Sequence, residues 1–147
     1  MGQSRVGKLY DESISYVFRH CPEKARTDCF VYFVSDGKYI KIGVAIDIPK
    51  RIKGVQTGNP HKLYLVEYMV FPYLDAAYYA EKQLHETFKD FRMMGEWFDI
   101  ADCYEFLMFI RFIKHEVGSP ILETHYKEFM DMHWSTSHQL RYAIYGR

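Results

Sequence analysis

No stretch of this 147-residue chain is long and apolar enough to cross a bilayer. The opening Met1–Lys8 carries no apolar run, so no signal peptide is expected. Cysteine is scarce. Cys21, Cys29 and Cys103 are odd in number and lack metal-ligand spacing, which points to free thiols in a reducing cytoplasm. Excess charge of either sign is lacking too. Nineteen Lys and Arg balance nineteen Asp and Glu, which argues against a strong general affinity for nucleic acid. Repeats and low-complexity tracts are missing, and no zinc finger or helix-turn-helix stands out as a separate targeting domain. His125, His133 and His138 do not stand at a standard zinc spacing. What is present is 48% apolar and 18% aromatic residues, enough for one globular domain with its own core.

Charge is uneven along the chain. Phe30 to Lys62 holds Lys38, Lys41, Lys50, Arg51, Lys53 and Lys62 against Asp36 and Asp47, an excess of four positive charges. The same segment opens on a hairpin pattern. Phe30–Val34 and Tyr39–Val44 are β-rich runs separated by Ser35-Asp36-Gly37-Lys38. Asp-Gly suits a two-residue type I′ loop, which needs positive φ at both positions. That loop would set Tyr32 directly opposite Lys41, a phenol and an ammonium side by side on one face. A helix follows. Asp47 can cap it, Pro49 is tolerated in its first turn, and Ile48, Ile52 and Val55 form its apolar stripe. Arg51 flanks that stripe at roughly 60° from Ile48, and Gly58 with Asn59-Pro60 ends the element.

The segment Leu74 to Phe91 reads as a second helix. Leu74, Ala77, Tyr78, Leu84, Phe88 and Phe91 gather on one stripe, and Glu81 and His85 fall within about 20° of its centre. An unpaired buried carboxylate costs several kcal/mol, so Glu81 calls for a partner or a metal. Two readings stay open: a functional site, or a stem packed in the core and paired with a structural Arg or Lys. Elsewhere, Gly2 to Asp28 shows no clean period and reads as a short helix plus a lead-in, His61 to Phe71 reads as a strand, and Ala101 to Glu116 reads as an apolar helix. Gly118-Ser119-Pro120 is a break, and Glu123 to Ile144 reads as a final helix. The sum is an α+β domain: a small three-stranded antiparallel sheet flanked by helices, with extra C-terminal helices. Residues 1–28 form a lead-in, 29–100 the core, and 101–147 a helical extension packed on it as one unit.

Taken in order, Val31-Tyr32-Phe33, Ile40-Lys41-Ile42-Gly43, Arg51, Gln56-Thr57-Gly58-Asn59-Pro60, Glu81, His85 and Gly95-Glu96-Trp97-Phe98 resemble the GIY-YIG nuclease superfamily, in a phage-associated branch. The resemblance runs from about Cys29 to Ile100. It implies hydrolysis of a DNA phosphodiester with one divalent metal ion. In that scheme Glu81 holds a single Mg²⁺ or Mn²⁺. Tyr32 orients or deprotonates the attacking water. Lys41 lowers the phenol's pKa or holds the phosphate. Arg51 neutralises transition-state charge. His85 orients Glu81, touches the phosphate, or is a plain core histidine. DNA is the implied partner, with a homodimer or a protein partner left open for targeting. The implied location is the cytoplasm, the host's if the chain is phage-encoded. Phe30 and Lys41 stand where the motifs have Gly and Tyr. These departures leave a second reading open, a non-catalytic nucleic-acid-binding or protein-interaction module.

Overall fold

The computed structural model of the chain describes residues 5–113, apart from Pro22 and Lys24. In chain order the elements are α1 (Arg5–His20), β1 (Cys29–Ser35), β2 (Ile40–Ala45), α2 (Ile48–Thr57), β3 (Tyr64–Phe71) and α3 (Leu74–Thr87). A 3-10 turn (Lys89–Phe91), β4 (Arg92–Met94), β5 (Trp97–Phe98) and α4 (Tyr104–Phe112) follow. The break at Gly118-Ser119-Pro120 and the helix bearing His125, His133 and His138 lie outside the described residues. None of the described helices is long and apolar enough to cross a membrane.

The strands form one five-stranded sheet of order β3-β1-β2-β5-β4, antiparallel throughout. This corrects the expected three-stranded sheet. The missed strands hold three and two residues, too short to show a period of two. They flank Gly95, whose φ of 56° makes the reversal that other residues rarely adopt. Their hairpin extends the sheet beyond β2.

The first hairpin also differs from expectation. Ser35 pairs with Ile40, so four residues connect β1 and β2, not two. Gly37 alone takes a positive φ there, at 101°. Side chains stabilise the longer loop. Ser35 Oγ accepts from Gly37 N at 3.0 Å, and Asp36 Oδ1 accepts from Lys38 N and Tyr39 N at 2.9 and 2.7 Å. The register therefore moves by two residues, setting Tyr32 opposite Gly43 and Val34 opposite Lys41. Two is the side-chain period of a strand, so Tyr32 and Lys41 still share a face.

Each face of the sheet has its own apolar cluster. Val31, Phe33, Ile40, Ile42, Val44, Met69 and Phe71 pack with α1, α3 and α4 on one face. Helix α1 supplies Val6, Leu9 and Val17, so the short helix expected at the front of the chain is a 16-residue core helix. Ion pairing of Arg5 with Glu105 ties α1 to α4. On the other face, Tyr32, Val34, Ala45 and Leu63 pack against Ile48 of α2, with half-buried Ile52 and Val55 beside them. The α2 cap forms as its sequence requires, Asp47 accepting from Lys50 N at 3.0 Å.

Candidate functional site

The site lies where β1 and β2 meet the side of α3 and the start of α2. Tyr32 is central. Its residue is only 1% exposed, and the ring lies over Gly43 on the facing strand. A Cβ at Gly43 would stand 2.5 Å from Tyr32 Oη and 2.6 Å from Cζ, closer than real Cβ contacts come. Glycine there is what lets the phenol lie across β2. Among the described residues the Tyr32 hydroxyl makes no hydrogen bond. Burial pushes this phenol up to about 12, the Glu96 carboxylate adds to the rise, Arg51 opposes it, and Glu81 adds again. The expected lowering by Lys41 is not found. Tyr32 is a neutral phenol at neutral pH.

Lys41 is engaged elsewhere. Its Nζ donates to Glu96 Oε2 at 2.9 Å and lies 5.8 Å from the Trp97 ring centroid. The β4–β5 hairpin thus brings a carboxylate to Lys41, and in doing so adds a second acid to the site. Glu96 stands in the Gly95–Phe98 motif, yet reasoning from helical stripes passes over it because it lies in the turn between two short strands.

Glu81 sits half-buried on α3. The buried stripe of that helix is Ala76, Ala77, Ala80 and Leu84, continued by the buried Phe88 beyond its end. Tyr78 and Phe91, assigned to the stripe from sequence, are exposed. Small alanines let α3 approach the sheet, while hydropathy weights the large aromatics. The centre of the true stripe lies roughly 70° from Glu81, which therefore stands at its edge. Burial pushes the Glu81 carboxyl up to about 7, Glu96 pushes the same way, and Lys41 opposes. Among the described residues Glu81 makes no ion pair and no hydrogen bond. Arg51 is exposed on α2 and has no ion pair among the described residues, although its charge reaches Tyr32. The structure thus brings Tyr32, Arg51 and Glu81 into one electrostatic neighbourhood and adds Glu96.

His85 has a different placement. Its Nε2 donates to Ile42 O at 3.0 Å, and its ring meets Phe98 at 4.9 Å between centroids. Ile42 N bonds Glu96 O on the same strand edge. β5 is too short to satisfy the Ile42 carbonyl, and His85 completes the ladder in its place. The Gln56–Pro60 motif is likewise architectural. Gln56 Nε2 donates to Asn59 O and His61 O, Gln56 Oε1 accepts from Leu63 N, and Asn59 Oδ1 accepts from His61 N. These bonds hold the reversal from α2 into β3.

Among the described residues no group of three or more His, Cys, Asp or Glu could hold a metal ion. The site offers two carboxylates, of which Glu96 is already paired with Lys41. That donor set suits a hard cation that takes oxygen ligands and keeps most of its waters, and does not suit zinc. At Arg51 opens a groove of about 720 Å³ lined also by Ala45, Ile46, Lys50, Leu74 and Tyr78.

The family model of the T5orf172 domain matches residues 29–115. This overturns the GIY-YIG assignment. The short motifs behind that assignment are in part architectural here: Gln56–Pro60 builds a turn, Gly95 a hairpin reversal, and His85 a strand edge. No curated protein and no solved structure matches the chain.

Proposed function

Since the chain belongs to the T5orf172 domain family, phage-associated and nucleic-acid-binding or nuclease-like, we propose that it is a divalent-metal-dependent DNA endonuclease. The observation that carries this reading is Glu81. It is a half-buried carboxylate without a partner among the described residues, and its charge, like that of Arg51, acts on the buried Tyr32 phenol. A structural carboxylate in that setting would be paired, because leaving it unpaired costs stability.

Bound Mg²⁺ or Mn²⁺, with Glu81 as its carboxylate ligand, would supply charge to the scissile phosphate and acidify a water. The remaining roles belong to the chain. Arg51 is free to fork onto two phosphate oxygens and to neutralise charge that builds as water attacks phosphorus and the bond to the sugar oxygen breaks. Tyr32 keeps its proton at neutral pH, so it orients the water through a hydrogen bond and does not start as the base. Lys41, fixed by Glu96, moderates the charge of the two carboxylates.

The test is incubation with supercoiled plasmid and Mg²⁺ or Mn²⁺, with and without chelator. The parent should cleave only with metal, and Glu81→Gln should not cleave. Calorimetric titration with Mn²⁺ should give binding to the parent and none to Glu81→Gln. Equal binding by both proteins removes Glu81 as ligand. Metal-independent binding of DNA without cleavage would establish the alternative, a binding module.

A further inference from the structure

Of the groove at Arg51, the chemistry assigned above uses Arg51 alone. Its walls come from the end of β2, from α2 and from the first half of α3. Two large hydrophobic side chains in it face solvent, Ile46 at 58% exposure and Tyr78 at 52%. Exposure of both in one concave place is unfavourable for a surface that meets only water. Tyr78 stands one turn before Glu81 on α3, so the exposed ring and the candidate metal ligand are neighbours on the helix. Lys50 and Arg51 line the same groove, and neither has an ion pair among the described residues. The groove's one acid, Asp47, is committed to capping α2. The combination is an aromatic platform in a cationic groove, the chemistry that holds a single strand through its phosphates and its bases.

We propose that this groove takes an unpaired nucleotide of the DNA substrate, its base stacked on Tyr78 against Ile46 and its phosphate directed to Arg51. The proposal rests on the nuclease reading for its substrate and names the form of that substrate: DNA with unpaired bases at or beside the scissile bond. A base held in a duplex has both faces occupied by its neighbours and cannot stack on Tyr78 without being extruded.

Binding is measured without metal, in chelator, so that it is independent of cleavage. The probes are a fluorescein-labelled oligodeoxythymidine, the same backbone made fully abasic, and a labelled blunt duplex. Tyr78→Ala should weaken binding of the oligodeoxythymidine by about 5- to 150-fold, the range for loss of one base–aromatic stack. Tyr78→Phe should bind like the parent. The abasic strand should bind parent and Tyr78→Ala alike, because it has no base to stack. Equal affinity of parent and Tyr78→Ala for oligodeoxythymidine overturns the proposal. So does an equal loss on the abasic strand, which would make Tyr78 a backbone contact. If no protein cleaves DNA but these differences appear, the stacking site stands and the nuclease reading fails. If cleavage is intact and the differences are missing, the reverse holds.

Discussion

A carboxyl group on the edge of a core changes how a protein responds to acid. Glu81 titrates at about 7 in the folded chain against an ordinary 4.5. The folded state therefore binds this proton more tightly than the unfolded state does. Its contribution to stability is greatest below about pH 4.5 and is lost as pH rises through about 7. Replacement by the neutral Gln removes that dependence. In urea titrations with chelator, the parent should lose about 1–2 kcal/mol relative to Glu81→Gln across this interval, once screening at a half-exposed carboxyl is allowed for. Parallel stability curves would show that Glu81 is well solvated. That Glu81 stands against the apolar side of its helix was legible from periodicity, although the stripe runs through Ala76, Ala77, Ala80 and Leu84 and not through Tyr78 and Phe91. Its raised pKa comes first from burial and then from Glu96, which no periodicity could bring near it.

At the scale of paired strands, the decisive contact is the phenol lying on a glycine. Tyr32 and Gly43 face each other, and any side chain at position 43 must displace the ring. Gly43→Ala should cost about 1–3 kcal/mol of stability, the usual range for overpacking a tight site. It should also reduce plasmid cleavage nearly as far as Tyr32→Phe does, because it moves the same hydroxyl. Adding Gly43→Ala to Tyr32→Ala should cost little further stability, since the clash is gone. A full second penalty in that double variant would mean that the strain lies in the backbone. Both strands of this hairpin were readable from their β-branched and aromatic residues. The register was not, because Asp-Gly supports more than one loop and the side chains of Ser35 and Asp36 decide for the four-residue form. Sharing of a face by Tyr32 and Lys41 survived only because the slip was even.

Across the whole chain, charge sums to zero, yet three cations on α2 have no ion pair among the described residues. Lys41 is neutralised by Glu96, and Lys38 and Lys62 lie over the rings of Tyr39 and Tyr64. If Lys50, Arg51 and Lys53 are the phosphate contacts, the logarithm of affinity for DNA should fall against the logarithm of salt with a slope of about −2 to −3. A much steeper slope would place further cations on the DNA, and a flat one would deny phosphate contact. The central hairpin, α2 and α3 were legible because each carries a period, a cap or a terminator. The sheet's outer pair was not, being too short for any period, and α1 was legible only as a short helix, because its first half mixes Gly, Lys and Asp among the core residues.

The strand order also has a direction in time. During synthesis the chain emerges from its N-terminus, so Tyr32, Lys41, Arg51 and Glu81 leave the ribosome before Glu96 does. Until the last hairpin arrives, the β2 edge is open and Lys41 lacks its carboxylate. The nascent chain therefore carries a more cationic site than the finished protein, and β4–β5 acts as the final piece that sets its charge.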